Sequence, residues 1–267
     1  NGSASVCAKE IFTRLGAKCH MLSDTPNGVN INLNCGSTHP EELMAFVKAN
    51  KLDLGVAFDG DADRMLAVDE NGDLVDGDKI IAICAAQMKQ DGKLAKNTAV
   101  VTVMSNMGFF KFCEENDIKC AKTAVGDRYV LERMLQKGYN IGGEQSGHVI
   151  FLDYATTGDG ELSAVKLIET VVKSGATLGS LAKIMTVYPQ VLINVPVTPQ
   201  GKLKYNNDEY IISAVQEAEM DLNGDGRVLV RVSGTEPLVR VMLEGKNIEQ
   251  ITKLGNQIAE VVKERLS

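Results

Sequence analysis

The chain has 267 residues, and its 28 Lys+Arg against 35 Asp+Glu leave a formal net charge of −7, without the basic surplus that nucleic acid or an anionic membrane surface attracts. Hydrophobic residues make up 44%, and no apolar run approaches the roughly 20 residues of a membrane-spanning helix. The length predicts two or three domains. The six irregularly spaced cysteines (Cys7, Cys19, Cys35, Cys84, Cys113, Cys120) form no C-x-x-C pair and read as reduced, mostly core thiols of a cytoplasmic protein.

Residues 3–16 carry a helical pattern (Val6, Ile11, Phe12, Leu15) that stops at Gly16, and Lys18–Leu22 predicts a short strand. Thr38-His39-Pro40-Glu41 starts a helix with Pro in its first turn, which leads through Leu43, Met44, Phe46 and Val47 to a strand over Leu52–Phe58. This alternation predicts a parallel α/β layer with ligand loops after its strands. Met65–Val68, the turn Asn71-Gly72 and Leu74-Val75 read as a small hairpin, with a domain boundary near Gly72.

A second α/β unit follows. Its helices are Lys79–Met88, Gly108–Asn116, Arg128–Lys137 and Gly160–Lys173, and its strands are Thr98–Met104, Lys119–Ala121 and Val149–Leu152. Pro189, Pro196 and Pro199 surround two short β-like runs and mark a crossing into a third unit. That unit has a helix over Asp208–Met220, paired strands Arg227–Val232 and Leu238–Leu243, and a closing amphipathic helix Ile248–Arg265. The expected class is α/β: two mixed α/β domains, 1–72 and 73–187, followed by a smaller α+β domain, 188–267.

Asp59-Gly60-Asp61-Ala62-Asp63-Arg64 places acids on every second residue directly after an apolar run. Three carboxylates so spaced repel one another unless a cation neutralises them, and a hard divalent ion takes oxygen ligands of this kind. Arg64 adds a charge-assisted donor for a phosphate. An EF-hand also opens D-x-D-x-D, but its sixth position needs Gly and here is Arg64, and its seventh to tenth are the apolar Met65–Val68. A solvated acidic turn is the bland reading. An aspartyl-phosphate phosphatase, with Asp59 as nucleophile and Asp61 as acid, is a sharper alternative.

Glu144 and Ser146, inside Gly142-Gly143-Glu144-Gln145-Ser146-Gly147-His148, have the chemistry to hold sugar hydroxyls. In Arg231-Val232-Ser233-Gly234-Thr235-Glu236-Pro237, Arg231 supplies a fork for phosphate, Ser233 and Thr235 donate hydroxyls, and Gly234 lets backbone close around an anion, although an ordinary hairpin connection fits the same residues. Asp127, Arg128, His148 and Arg240 are candidate cleft residues. Asp127 reads equally as a helix cap, as does Asp159, and Asp221–Gly226 reads as a helix-to-strand turn.

Taken in order, Asp59–Arg64, Gly143–His148 and Arg231–Pro237 resemble the α-D-phosphohexomutase family over essentially the whole chain. The resemblance implies Mg²⁺ on Asp59, Asp61 and Asp63, charge neutralisation by Arg64, sugar recognition by Glu144 and Ser146, and a phosphate held by Arg231, Ser233, Gly234 and Thr235. Gly36-Ser37-Thr38-His39-Pro40-Glu41, Val125-Gly126-Asp127-Arg128 and Gly143–His148 are similar to the bacterial branch acting on glucosamine phosphates. The implied substrate is a hexosamine phosphate, interconverted between its 6- and 1-phosphates through a phosphoserine and a bisphosphate intermediate for cell-wall precursor synthesis. Neither nucleic acid nor membrane is an expected partner, and the oligomeric state is left open. Mannose or glucose phosphates are the alternative substrates. The family's phosphoserine lies in a T-A-S-H-N loop of the first of four domains. No such segment occurs here, so the expectation is a C-terminal portion, starting inside the second domain and inactive alone.

Overall fold

The computed structural model describes residues 1–234 and 236–267. The chain divides into two compact units, 1–105 with 109–186, and 106–108 with 187–267.

The first unit opens with α1 (Ala8–Arg14) and α2 (Glu41–Asn50). Glu41 and Glu42 in the first turn of α2 and Lys48 in its last complement the helix dipole, and the left-handed Lys51 (φ 51°) ends it. The strands β1 (Leu54–Phe58), β2 (Met65–Asp69) and β3 (Leu74–Val75) form one antiparallel sheet in that order, with Phe58 opposite Met65 and Ala67 opposite Val75. The parallel layer expected from the alternation of Lys18–Leu22 and Leu52–Phe58 with helices is not formed, because Lys18–Leu22 is not a strand. The neighbour of β1 is instead β2, and a six-residue connection such as Asp59–Arg64 joins antiparallel neighbours, whereas a parallel pair needs a crossover of a dozen or more residues. Apolar residues make a strand only where a neighbouring edge offers its amides and carbonyls.

Asp76 caps α3 (Gly77–Gln90), which buries Ile80, Ile81, Ile83 and Cys84. Then come β4 (Thr98–Thr102), α4 (Met107–Glu115), β5 (Lys119–Thr123), α5 (Asp127–Lys137), β6 (Ile141–Gly143), β7 (Val149–Phe151), α6 (Gly160–Ser174) and α7 (Leu178–Leu181). The sheet order is β5-β4-β6-β7, with β4 parallel to both its neighbours and β7 antiparallel to β6. Every residue of β4 is buried, as a parallel strand covered on both faces requires. The expectations above contain no strand at β6. Its Ile-Gly-Gly is too short to show a period. Met65, Ile80, Phe109, Phe112, Phe151 and Leu167 share one apolar cluster, and Val100, Val130, Met134 and Ile150 form a second.

The second unit contains β8 (Gln190–Pro196), α8 (Pro199–Lys204), α9 (Glu209–Leu222), β9 (Gly226–Val232), β10 (Leu238–Gly245) and α10 (Ile248–Leu266). The sheet is antiparallel in the order β8-β10-β9, so Pro196 ends an edge strand, where its missing N–H is tolerated. Ile251, Leu254, Ile258, Val262 and Leu266 present one buried stripe of α10 to the core. On the central strand Glu244 is fully buried. It accepts from Arg227 Nε at 2.7 Å and from the Met107 N–H at 2.8 Å, and burial pushes its carboxyl upward against the opposing pull of Arg227. No helix among the described residues is long and apolar enough to cross a membrane.

Asp208 accepts the Tyr210 and Ile211 N–H groups at the start of α9, and Arg265 of α10 donates to its other oxygen at 3.0 Å. Burial acts to raise this carboxyl, but Arg265 and the amides outweigh it and hold the group below the ordinary range. An acid depressed in the fold is protonated first in the unfolded chain, so its stabilisation is complete above about pH 3.9 and is lost as pH falls through the folded value. Asp208→Ala is expected to cost about 1 kcal/mol at pH 7, a difference that narrows progressively below pH about 4 in urea unfolding followed by circular dichroism.

Candidate functional site

In the first unit, the β1–β2 connection brings oxygens of Asp59, Asp61 and Asp63 within 4.8 Å of one another. Ala62, left-handed at φ 61°, turns the chain between the last two acids. The Arg64 N–H donates to Asp59 Oδ1 at 3.2 Å, while Arg64 Nε lies 3.6 Å from Asp59 and 3.5 Å from Asp63. Burial raises the Asp59 carboxyl, and the nearby Asp63 and Asp61 add to the rise against the Arg64 amide. Asp63 Oδ1 is buried without a hydrogen-bond partner. An all-oxygen set whose buried Asp63 Oδ1 makes no hydrogen bond and faces Arg64 Nε at 3.5 Å suits a hard divalent cation.

Backbone contacts hold this loop. Gly160 donates its N–H to the Ala62 carbonyl at 2.8 Å, and Met65 donates to the Gly147 carbonyl at 3.0 Å. Gly147 has φ 96°, and a Cβ there would stand 2.3 Å from the Met65 carbonyl oxygen, so only glycine permits this approach. The acidic loop thus leans on the β6–β7 connection, Glu144–His148. His148 is buried at 3% exposure. The Gly158 N–H donates to its Nε2 at 3.0 Å, which leaves Nδ1 as the donor to Asp63 Oδ2 at 3.1 Å. The imidazole therefore orients one of the three acids.

Asp127 makes no side-chain cap. It is the first residue of α5, after Gly126, and its carboxylate lies 4.0 Å from His148 Nε2. Arg128 pairs along the helix surface with Glu132 at 2.8 Å and joins none of these groups. Glu144 accepts the Gly126 N–H at 2.9 Å, and Ser146 is exposed. Asp159 caps α6 through the Leu162 N–H, and Asp221–Gly226 joins α9 to β9 through left-handed Asn223 and Gly224. The Gly126 and Gly158 amides escape sequence reading because a backbone donor has no side-chain signature.

In the second unit, Arg231 and Arg240 stand opposite each other on β9 and β10. Burial and the neighbouring Arg240 charge lower the Arg231 guanidinium from its ordinary value, and Arg240 Nη2 pairs with Glu236 at 2.7 Å. Ser233 is buried and its Oγ accepts the Glu236 N–H at 3.2 Å. Gly234 is exposed, with open space where a Cβ would stand, so the local packing does not itself demand glycine. Lys202 reaches the same turn, donating to the Glu236 carbonyl at 3.2 Å. Thr235 lies outside the described residues. Two adjacent guanidiniums beside a hydroxyl-bearing turn have the chemistry of an anion site.

Residues 1–72, 76–188 and 192–261 match, in that order, the models for α/β/α domain II, α/β/α domain III and the C-terminal domain of phosphoglucomutase/phosphomannomutase. The phosphoglucosamine mutase of Brevibacillus brevis is 55% identical over 266 residues, and that of Bacillus subtilis 53% identical over 266. Both alignments cover 100% of this chain but only 59% of the relative. Among solved structures, a phosphoglucomutase/phosphomannomutase family protein from Burkholderia thailandensis superposes with a TM-score of 0.78 at 20% identity, over 100% of this chain and 60% of that one. N-acetylphosphoglucosamine mutase of Aspergillus fumigatus, solved with GlcNAc-6P and magnesium, superposes with a TM-score of 0.75 at 20% identity, over 99% and 60%. Three models of one family matched in order, and identity above one half along the whole chain, show that the chain belongs to the phosphoglucomutase/phosphomannomutase family.

Proposed function

We propose that the chain carries the metal-, sugar- and phosphate-binding groups of a cytoplasmic phosphoglucosamine mutase, which interconverts glucosamine 6-phosphate and glucosamine 1-phosphate. The observation that carries this reading is the all-oxygen cluster of Asp59, Asp61 and Asp63 beside Arg64, with Asp63 oriented by buried His148. The names of the relatives supply the substrate class, and the magnesium and GlcNAc-6P of the Aspergillus neighbour agree with it. We keep the division at 72 and 187 as the domain plan.

Held by Asp59, Asp61 and Asp63, Mg²⁺ would supply polarisation of a phosphoryl oxygen. Arg64 offers its guanidinium to charge developing on the transferring group, the electrostatic part of phosphoryl transfer. Glu144 and Ser146 take sugar hydroxyls, Glu144 with its carboxylate steered by the Gly126 amide. Arg231, Ser233, Gly234 and Thr235 bind phosphate that is not being transferred. No T-A-S-H-N segment occurs in these 267 residues, so on this reading they bind substrate without turning it over.

Mg²⁺ at about ten times its Kd should add about 1.4 kcal/mol to stability and raise Tm by about 3–5 °C. Asp59→Asn should raise the metal-free Tm, because one repelling charge is removed, and should abolish the Mg²⁺ response in differential scanning calorimetry. In isothermal titration with Mg²⁺ present, glucosamine 6-phosphate should bind, and Glu144→Gln should weaken it by about tenfold. ³¹P NMR should show no conversion to glucosamine 1-phosphate. Turnover by the 267 residues alone, or unchanged affinity in Glu144→Gln, would overturn the assignment, and equal binding of mannose 6-phosphate would move it to the sister activity.

A further inference from the structure

Asp76, between β3 and α3, divides its carboxylate between two partners. Oδ1 accepts the Lys79 N–H at 3.1 Å as the cap of α3, while Oδ2 accepts from the Gln145 side-chain amide at 3.1 Å. The following residue, Gly77, donates its N–H to the Gln145 carbonyl at 3.0 Å. A Cβ on Gly77 would stand 2.1 Å from the Glu144 carbonyl oxygen and 2.8 Å from the Gly147 nitrogen. The start of α3 therefore meets the backbone of Glu144–Gly147 with no clearance. A cap alone requires one side-chain oxygen, and a serine provides it equally well. The second oxygen of Asp76 serves the loop.

We propose that Asp76 is a positioning residue for sugar recognition: through Gln145 it fixes the loop that carries Glu144 and thereby sets the affinity for the hexosamine. The proposal rests on the hexosamine-phosphate reading given above. Docked in this position, the loop lets Glu144 accept the Gly126 N–H at 2.9 Å and supplies the Gly147 carbonyl that receives Met65.

The test uses the full chain with Asp76→Ser, which keeps the cap and loses the tie, Gln145→Met, which removes the amide, and the double variant. In titrations with glucosamine 6-phosphate and Mg²⁺, each single change is expected to weaken binding about tenfold, and the double no further, because both remove the same hydrogen bond. Affinity for inorganic phosphate should not change. Hydrogen exchange should accelerate at the Glu144 and Gly147 amides in both variants while the amides of α3 keep their protection. Additive losses in the double variant, unchanged exchange in the loop, or faster exchange throughout α3 would each overturn the proposal, the last by reducing Asp76 to a cap. A parent chain that fails to bind glucosamine 6-phosphate, with the loop still loosened in the variants, overturns the hexosamine reading and leaves the positioning role in place.

Discussion

Mutual repulsion of three carboxylates within 4.8 Å is the constraint around which the first unit is arranged. Left to itself, a six-residue connection carrying Asp59, Asp61 and Asp63 would spread its charges into water. Here Ala62 is held in a left-handed conformation, its carbonyl receives Gly160, and the strand that leaves the loop is pinned by Gly147. Arg64 and His148 each hold part of the negative charge. The backbone brings the acids together, and a hard cation is the partner their chemistry calls for.

The three sequence motifs share one structural device. Asp59–Arg64 joins β1 to β2, Glu144–His148 joins β6 to β7, and Ser233–Pro237 joins β9 to β10, each between antiparallel strands. A hairpin connection places polar groups at the end of a rigid ladder, so the ladder hydrogen bonds of apolar strands set the position of side chains that themselves contribute nothing to the core. In the first unit the connections are joined directly, Met65 to Gly147, and the second rests on the helix that Asp76 begins. Precision thus comes from backbone contacts in which two glycines admit another chain segment at distances that a Cβ would forbid.

The second unit shows the opposite treatment of charge. Glu244 is fully buried, yet Arg227 lies opposite it in the strand register, and the Met107 N–H and the Asn106 side-chain amide also donate to it. Removing either charge would strand the other in a low dielectric. Arg231 and Arg240, paired by the same register, repel each other and stay partly accessible at the end of the sheet where the Ser233 turn lies. One ladder therefore holds both a neutralised pair serving the fold and a like-charged pair, of which Arg240 is also paired with Glu236 at 2.7 Å.

Much of this was legible in the residues. Periodicity located the long helices, such as Gly160–Ser174 and Ile248–Leu266, because a buried stripe recurs every three or four residues whatever the neighbours are. The spacing of the acids and of the Arg-x-Ser-Gly-Thr turn marked them as candidates for ligand chemistry, since such chemistry is read from side chains. The direction of β1 relative to β2, the three-residue β6 and the failure of Lys18–Leu22 to join a sheet were not legible, because strand pairing depends on which edge is nearby. The same holds for the Gly126 and Gly158 amides, the orientation of His148 and the second role of Asp76. Local order and ligand chemistry are properties of side chains and their spacing. Which backbone donor meets which acceptor, and hence how those side chains are aimed, arises when segments far apart in sequence pack together.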